Sequence, residues 1–186
     1  GFTYSETGIR ALEGLNFTLE PGTTVAITGR TGSGKSTILQ LVMRMMDPTE
    51  GSISFKGAEL GIWKLDKYRE HTGYVPQDVF LFSDTIENNI SFGVKEFKSK
   101  EREKERITES ALDAGVLEDI KGFEHGFETL LGERGVNLSG GQKQRISIAR
   151  ALIREPELLI LDDCLSAVDV ITEKHILGRL KEGHDT

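Results

Sequence analysis

Apolar positions along this chain fall into short runs and spaced stripes that read as alternating strands and helices. Val25-Ala26-Ile27 is an unbroken apolar run and predicts a strand; after a glycine-rich stretch, Ile38, Leu39, Leu41 and Val42 predict a helix. Leu158-Leu159-Ile160-Leu161 shows no alternation, the pattern of a strand covered on both faces. Before it, Ile146, Ala149, Leu152 and Ile153 form a helical stripe that Pro156 brings to an end. Ile107, Ala111, Leu112 and Val116 are spaced likewise, and residues from about 85 to 139 read mainly as helix. Residues 1 to about 60 mix short strands with turns such as Glu50-Gly51-Ser52 and Lys56-Gly57, which suits an antiparallel layer beside a parallel sheet. Residues 140 to 186 return to helix, strand and helix. The order predicts an α/β fold without internal repeats or low-complexity linkers. Lys95 to Arg106 is a dense run of charge; opposite signs at Lys98 and Glu101, and at Glu101 and Lys104, predict a solvated helix face.

The glycine-rich stretch changes the picture from architecture to chemistry. Gly29-Arg30-Thr31-Gly32-Ser33-Gly34-Lys35-Ser36-Thr37 has the spacing of a phosphate-binding loop and stands between a predicted strand and a predicted helix. Glycines let consecutive backbone N–H groups turn inward around phosphate oxygens, and the helix that starts there adds its positive end. Lys35 then reaches the β and γ phosphates, while the Ser36 hydroxyl can ligate Mg²⁺. A metal held there also needs a carboxylate at the carboxyl end of a neighbouring strand, where ligands of parallel sheets collect. Asp162, directly after the apolar run 158–161, is the candidate, and Asp163 follows it.

A second glycine pair opens the later helix, in Leu138-Ser139-Gly140-Gly141-Gln142. Ser139 with Gln142 three residues on is a capping-box pattern, and as a cap alone it is structurally complete. Two glycines at a helix start also expose N–H groups to an anion, and one nucleotide rarely needs two such ends. This end could serve the nucleotide of another subunit.

Composition excludes several classes. The 186 residues, 37% hydrophobic with 21 glycines, have the makeup of one globular domain with a core of its own. No apolar run approaches the ~18 residues of a membrane span and no signal peptide is visible, so any spans are expected outside this sequence. A formal net charge of -7 argues against nucleic acid as a partner. The single Cys164 permits no internal disulfide, which fits a reducing compartment.

Taken together the motifs resemble those of an ABC transporter nucleotide-binding domain of the exporter type, across nearly the whole chain. Gly29 to Thr37 look like Walker A, Tyr74-Val75-Pro76-Gln77-Asp78 like the Q-loop, and Gly132-Glu133-Arg134-Gly135 like the X-loop of exporters. Leu138 to Gln142 look like the LSGGQ signature, Leu158 to Asp162 like Walker B, and Ser166-Ala167-Val168-Asp169 like the D-loop. The resemblance implies a P-loop NTPase (RecA-like) core over 1–84 and 140–186, with an antiparallel β layer and a helical subdomain at 85–139. It implies ATP and Mg²⁺ as ligands. Tyr4 would stack on adenine, Gln77 would touch the Mg²⁺ and γ-phosphate region, and Phe80-Leu81-Phe82-Ser83-Asp84 would relay its state to a membrane domain. Ser139 and Gly141 would act on ATP held by an opposing domain in a head-to-tail dimer. A transmembrane domain in the same full-length chain, with this domain at the cytosolic face of the membrane, is implied too.

Two departures shape the expected activity. Where the family usually has Glu after the Walker B aspartate, to polarise the attacking water, this chain has Asp163, shorter by one methylene or about 1.5 Å of reach. A base must lie within ~2.6–3.2 Å of the proton it takes, and ~1 Å of misplacement can cost on the order of a hundredfold, so this site is expected to bind ATP well and hydrolyse it poorly. The family's switch His follows a further strand beyond the D-loop, and neither His175 nor His184 has that setting. With Gly1 in place of an initiator Met and an end at Thr186, the sequence reads as a piece of a larger protein. A weakened base beside an intact signature resembles the degenerate-site subunit of a heterodimeric exporter. A non-hydrolytic module that shapes a partner's site and an importer-type subunit stay open, the latter disfavoured by the X-loop resemblance.

Overall fold

In the computed structural model, which describes residues 1–182, the chain divides between Thr72 and Gly73 into two units. The first carries two small antiparallel pairs. β1 (Phe2–Thr3) pairs with β2 (Arg10–Leu12), Phe2 opposite Leu12, and after α1 (Lys35–Val42) comes a hairpin of β3 (Ser54–Phe55) and β4 (Ala58–Glu59). The hairpin turns at Lys56 and Gly57, whose φ values of 51° and 76° are the two positive angles that a two-residue turn matched to strand twist requires. α2 (Leu65–Glu70) sets Tyr68 inside, its phenol donating to the Val42 carbonyl at 2.6 Å. Burial pushes that phenol up to about 12. Phe55 meets Tyr68 and Trp63 edge-on at 5.3 and 5.5 Å, forming the aromatic floor of this unit.

The strand expected over Val25-Ala26-Ile27 does not form. No helix or strand lies between Leu12 and Lys35, and Val25 is 48% exposed. A strand needs a neighbour to take up its backbone groups, and no described strand runs beside this segment, so three apolar residues are not sufficient.

β5 (Thr72–Val75), all but its first residue in the second unit, lies beside β6 (Leu158–Leu161), and Asp162 N donates to the Val75 carbonyl at 2.9 Å, so their carboxyl ends are adjacent. Only Ile160 of β6 is buried, against the expectation of a strand covered throughout, because β5 is its one strand neighbour among the described residues. Helices α3 (Ile86–Ser91), α4 (Lys100–Asp113) and α5 (Leu117–Gly122) precede α6 (Gly140–Leu152), and α7 (Val170–Glu182) follows β6. α6 is the axis of the core: α3 and α4 both pack on it, burying Ile146, Ile148, Ala149 and Ala151, so more than the one predicted stripe is covered. Of the residues in the expected stripes, Leu152 is half-buried against the core and Leu112 on α4 is exposed.

The charged run forms the exposed helix face that its pattern predicts, with Lys100, Glu101, Arg102, Lys104 and Glu105 exposed on α4, and departs from that reading at its two ends. α4 starts at Lys100, with Ser99 as N-cap accepting from Arg102 N at 3.2 Å, so Lys98 lies outside the helix and cannot pair along it with Glu101. On the exposed face Arg102 pairs with Glu105 at 3.1 Å. Arg106, expected in solvent, donates to the Ile153 carbonyl at 2.7 Å and pairs with Glu155. The end of α6 is the reason: its last carbonyls favour a cation, and α4 lies close enough to supply one.

Arg150 on α6 makes a polar junction within the core. Its Nε and NH2 donate to the carbonyl and side-chain oxygen of Asn89 at 2.7 and 2.8 Å, and its NH1 donates to the Phe80 carbonyl at 2.8 Å. The guanidinium also lies over the rings of Phe82 and Phe92, at 5.4 and 5.8 Å. Burial draws it down to about 10, so it is still charged at neutral pH. Fully buried Asn89 donates to the carbonyls of Phe82 and Thr85 at 3.0 and 2.9 Å, and the two side chains together hold residues 80–85 in place. Arg150→Ala takes this donor from the Asn89 and Phe80 carbonyls, while Asn89 Oδ1 keeps the Phe82 N–H at 2.8 Å, and is expected to cost on the order of 3 kcal/mol, read as a lower urea midpoint. A midpoint within error of the parent's would contradict this account of the junction.

Candidate nucleotide site

The glycine-rich loop runs straight into α1 because Gly34 stands as its N-cap at φ 89°, where a Cβ would strike the Ala11 carbonyl at 2.7 Å. Lys35, the first helical residue, folds back so that Nζ donates to the carbonyls of Gly29 and Arg30 at 2.9 and 3.0 Å. The loop thus closes around an ammonium, for which an anionic oxygen is a stronger partner than either carbonyl. Ser36 is exposed on the first turn, and Thr37 is buried, its hydroxyl 3.0 Å from the Tyr4 phenol. Tyr4, which also meets Phe2 edge-on at 5.0 Å, is therefore anchored beside the helix that the loop opens. Gly29, Thr31, Gly32 and Ser33 make up the loop itself.

Charge at the helix starts separates two helices from the rest. α2, α3, α4, α5 and α7 carry an acid in the first turn, whereas α1 and α6 carry none. An acid there would satisfy the positive end of the helix from within the chain, so α1 and α6 start without a first-turn carboxylate to offset theirs. In the first unit, the Lys35 ammonium and the Ser36 hydroxyl at a helix start fit the oxygens of a phosphate chain, and in the second the carboxylates after β6 are ligands of the kind Mg²⁺ takes.

Those carboxylates follow β6. Asp162 accepts from the Tyr74 phenol at 3.5 Å, and burial together with the Asp162 charge holds that phenol above its ordinary value. Asp163 accepts from Gln77 Nε2 at 3.2 Å, while its own carbonyl takes the Ser166 hydroxyl at 2.9 Å. Its backbone has φ 48°, a left-handed conformation that Asp tolerates better than longer side chains because its short polar group bonds locally. Gln77 and Asp163 are both exposed. Next in the chain, Cys164 is buried beside them, which pushes its thiol up to about 11.

The capping box forms as its spacing requires. Ser139 Oγ accepts from Gln142 N at 3.2 Å and Gln142 Oε1 accepts from Ser139 N at 3.0 Å. Gly141 packs so close to the D-loop that a Cβ there would meet the Ala167 carbonyl at 2.9 Å. Asp169 caps α7, accepting from Thr172 N at 3.0 Å. His175 stands on α7 with Nε2 3.2 Å from the Leu112 carbonyl, not behind a strand, and His184 lies outside the described residues. Sequence reasoning missed Asp119, Arg145, Asn89 and Arg150. Arg150 left a trace, as a charge inside the apolar run from Ile146 to Ile153, whereas the other three carried no local signal.

Among the described residues no helix is long and apolar enough to cross a membrane. A family model described as "ABC transporter" matches residues 12–166. Curated relatives include a "Probable multidrug resistance ABC transporter ATP-binding/permease protein YheI" of Bacillus subtilis, 46% identical over 97% of this chain and 30% of that protein. Another is the "Multidrug resistance-like ATP-binding protein MdlA" of Escherichia coli, 50% identical over 97% of this chain and 30% of that protein. An "ATP-dependent lipid A-core flippase" of Pasteurella multocida is 46% identical over 94% of the chain and 29% of that protein. Among solved structures, a bacterial Atm1-family ABC exporter with ATP bound matches 97% of this chain and 31% of its own, at TM-score 0.88 and 38% identity. The chain thus spans about 30% of the length of these relatives. A family match from residue 12 to 166 and a shared P-loop NTPase fold make this chain a member of the ABC transporter family, as an ATP-binding domain.

Proposed function

We propose that this chain binds and hydrolyses ATP to power export by an ABC transporter, that its own Walker site is slow, and that its signature motif completes the site of a partner. In this reading Tyr4 stacks on adenine, and residues Gly29 to Thr37 hold the phosphates through backbone N–H groups and Lys35. Ser36, Gln77 and Asp162 hold Mg²⁺, whose charge offsets that of the phosphates. Asp163 occupies the position of the base, and Ser139 and Gly141 act on ATP bound by a second ABC domain, a different subunit, in a head-to-tail dimer. The core 1–84 and 140–186, the helical subdomain 85–139, a transmembrane domain in the same full-length chain and a place at the cytosolic face of the membrane belong to this reading. The relatives' names, for multidrug resistance and for lipid A-core, support export without choosing a substrate.

One observation carries the slow site. Asp163 has the shorter carboxylate, sits at φ 48° and is bonded to Gln77 at 3.2 Å, so both its reach and its orientation are committed within the chain. Asp163→Ala in the full-length transporter, assembled with its partner, is expected to change steady-state ATP hydrolysis by less than about twofold, because turnover runs at the other site. Abolished turnover would make Asp163 the working base and a symmetric homodimer the better account.

A further inference from the structure

The start of α6 is held from the side by a carboxylate outside every motif. Asp119, in the first turn of α5, accepts from Gln142 Nε2 at 2.9 Å through Oδ1 and from Arg145 NH1 at 2.7 Å through Oδ2. Arg145 also donates to the carbonyls of Gly115 at 2.6 Å and Gly141 at 3.2 Å, tying the same carboxylate to the second signature glycine. Both side chains are largely covered, Arg145 to 14% exposure and Asp119 to 27%. Burial works against the Asp119 charge, but the bonds from Gln142 and Arg145 outweigh it and hold the carboxyl below its ordinary range.

An ionised carboxylate only accepts, so Gln142 must offer it the amide nitrogen. The amide oxygen is then left for Ser139 N, the bond observed at 3.0 Å. A turned amide would set oxygen against oxygen at Asp119 and donor against donor at Ser139 N. With the box closed, the Ser139 Oγ spends a lone pair on Gln142 N at 3.2 Å and keeps its own proton.

We propose that Asp119 is a positioning residue for the signature serine: by locking the Gln142 amide in one orientation it closes the capping box and leaves the Ser139 hydroxyl free to donate to an anionic oxygen of the partner's nucleotide. This rests on the reading that Ser139 acts on an opposing ATP. Asp119 touches no substrate and acts through Gln142.

Reversing the polarity of the bond tests it. In Asp119→Asn, a side chain turned to keep its oxygen on Arg145 sets an NH2 against the amide NH2 of Gln142. In Gln142→Glu, two carboxylates face each other. In the double variant the asparagine NH2 donates to the glutamate, whose other oxygen still accepts from Ser139 N, and Arg145 keeps an acceptor. Steady-state ATP hydrolysis by the full-length assembled transporter is measured against ATP concentration for both singles, the double and Ser139→Ala, each normalised to assembled protein and accompanied by a thermal melt. Each single is expected to lower kcat roughly tenfold with KM for ATP changed less than about twofold, since the serine contact is made on the reacting phosphate. The double is expected to return to within about threefold of the parent. A purely structural role for Asp119 would lower the melting temperature and leave kcat alone.

Parent kcat in Asp119→Asn while Ser139→Ala is slow overturns the proposal, as does an assembled double variant no faster than the singles. If a single variant fails to assemble, the double decides: recovery supports the pairing, and a rate as low as that of Ser139→Ala refutes it. Parent kcat in Ser139→Ala overturns the underlying reading of the signature motif, and this proposal with it.

Discussion

Ser139→Ala will lower ATP hydrolysis by the assembled transporter on the order of a hundredfold. The serine stands exposed as the cap of α6, a thirteen-residue helix without an acid in its first turn, so its hydroxyl lies at the positive end of that helix. Removing one preorganised donor from a site where negative charge develops costs about 10²–10³ in rate. Alanine also removes the cap, which costs roughly 1 kcal/mol of stability, so the variant has to be read beside a thermal melt. Ser139→Asp separates the two effects. Aspartate is as good a cap as serine, so the melting temperature is expected to hold, but its charge faces the phosphate and turnover is expected to fall at least as far. Undiminished hydrolysis in both variants would exclude any role of this helix start in catalysis.

Lys35→Ala will weaken Mg-ATP binding by roughly a hundredfold. Lys35 brings the phosphate loop a mobile cation, and a charge-assisted bond of this kind is worth about 1.5–3 kcal/mol, which is up to two decades of affinity. Its present bonds to the Gly29 and Arg30 carbonyls run within the loop, in a half-exposed setting, so the substitution is expected to leave the fold in place. Titration of a fluorescent ATP analogue into the parent and the variant reads the difference directly. Equal affinities would show that the loop around Lys35 does not hold the phosphates.

The two helix starts could be read without any structure because each is decided by residues within a few positions of one another. Gly34 can adopt φ 89° where other residues cannot, and Ser139 and Gln142 meet because a helix brings positions three apart together. The apolar run 158–161 forms its strand because β5, from far earlier in the chain, lies beside it. Whether a run finds a neighbour is not local. Val25-Ala26-Ile27 has the same signal as a strand and forms none, and β6 is less covered than its composition suggested, because strand partners come from elsewhere in the chain.

Side-chain partnerships across elements escaped the sequence for the same reason. Asp119 reaches Gln142 and Arg145 across 23 and 26 positions, Arg150 reaches Asn89 across 61, and Gln77 reaches Asp163 across 86. No periodicity or turn residue encodes such a meeting, and a charge on α4 looked solvated until Arg106 was found on the Ile153 carbonyl. What this sequence determined by itself were backbone conformations and caps, which follow from sterics and from hydrogen bonds over three or four residues. Only the tertiary structure decided which side chains hold the signature helix, the base position and the loop at 80–84, because burial brings distant groups together and obliges each buried polar atom to find its partner there.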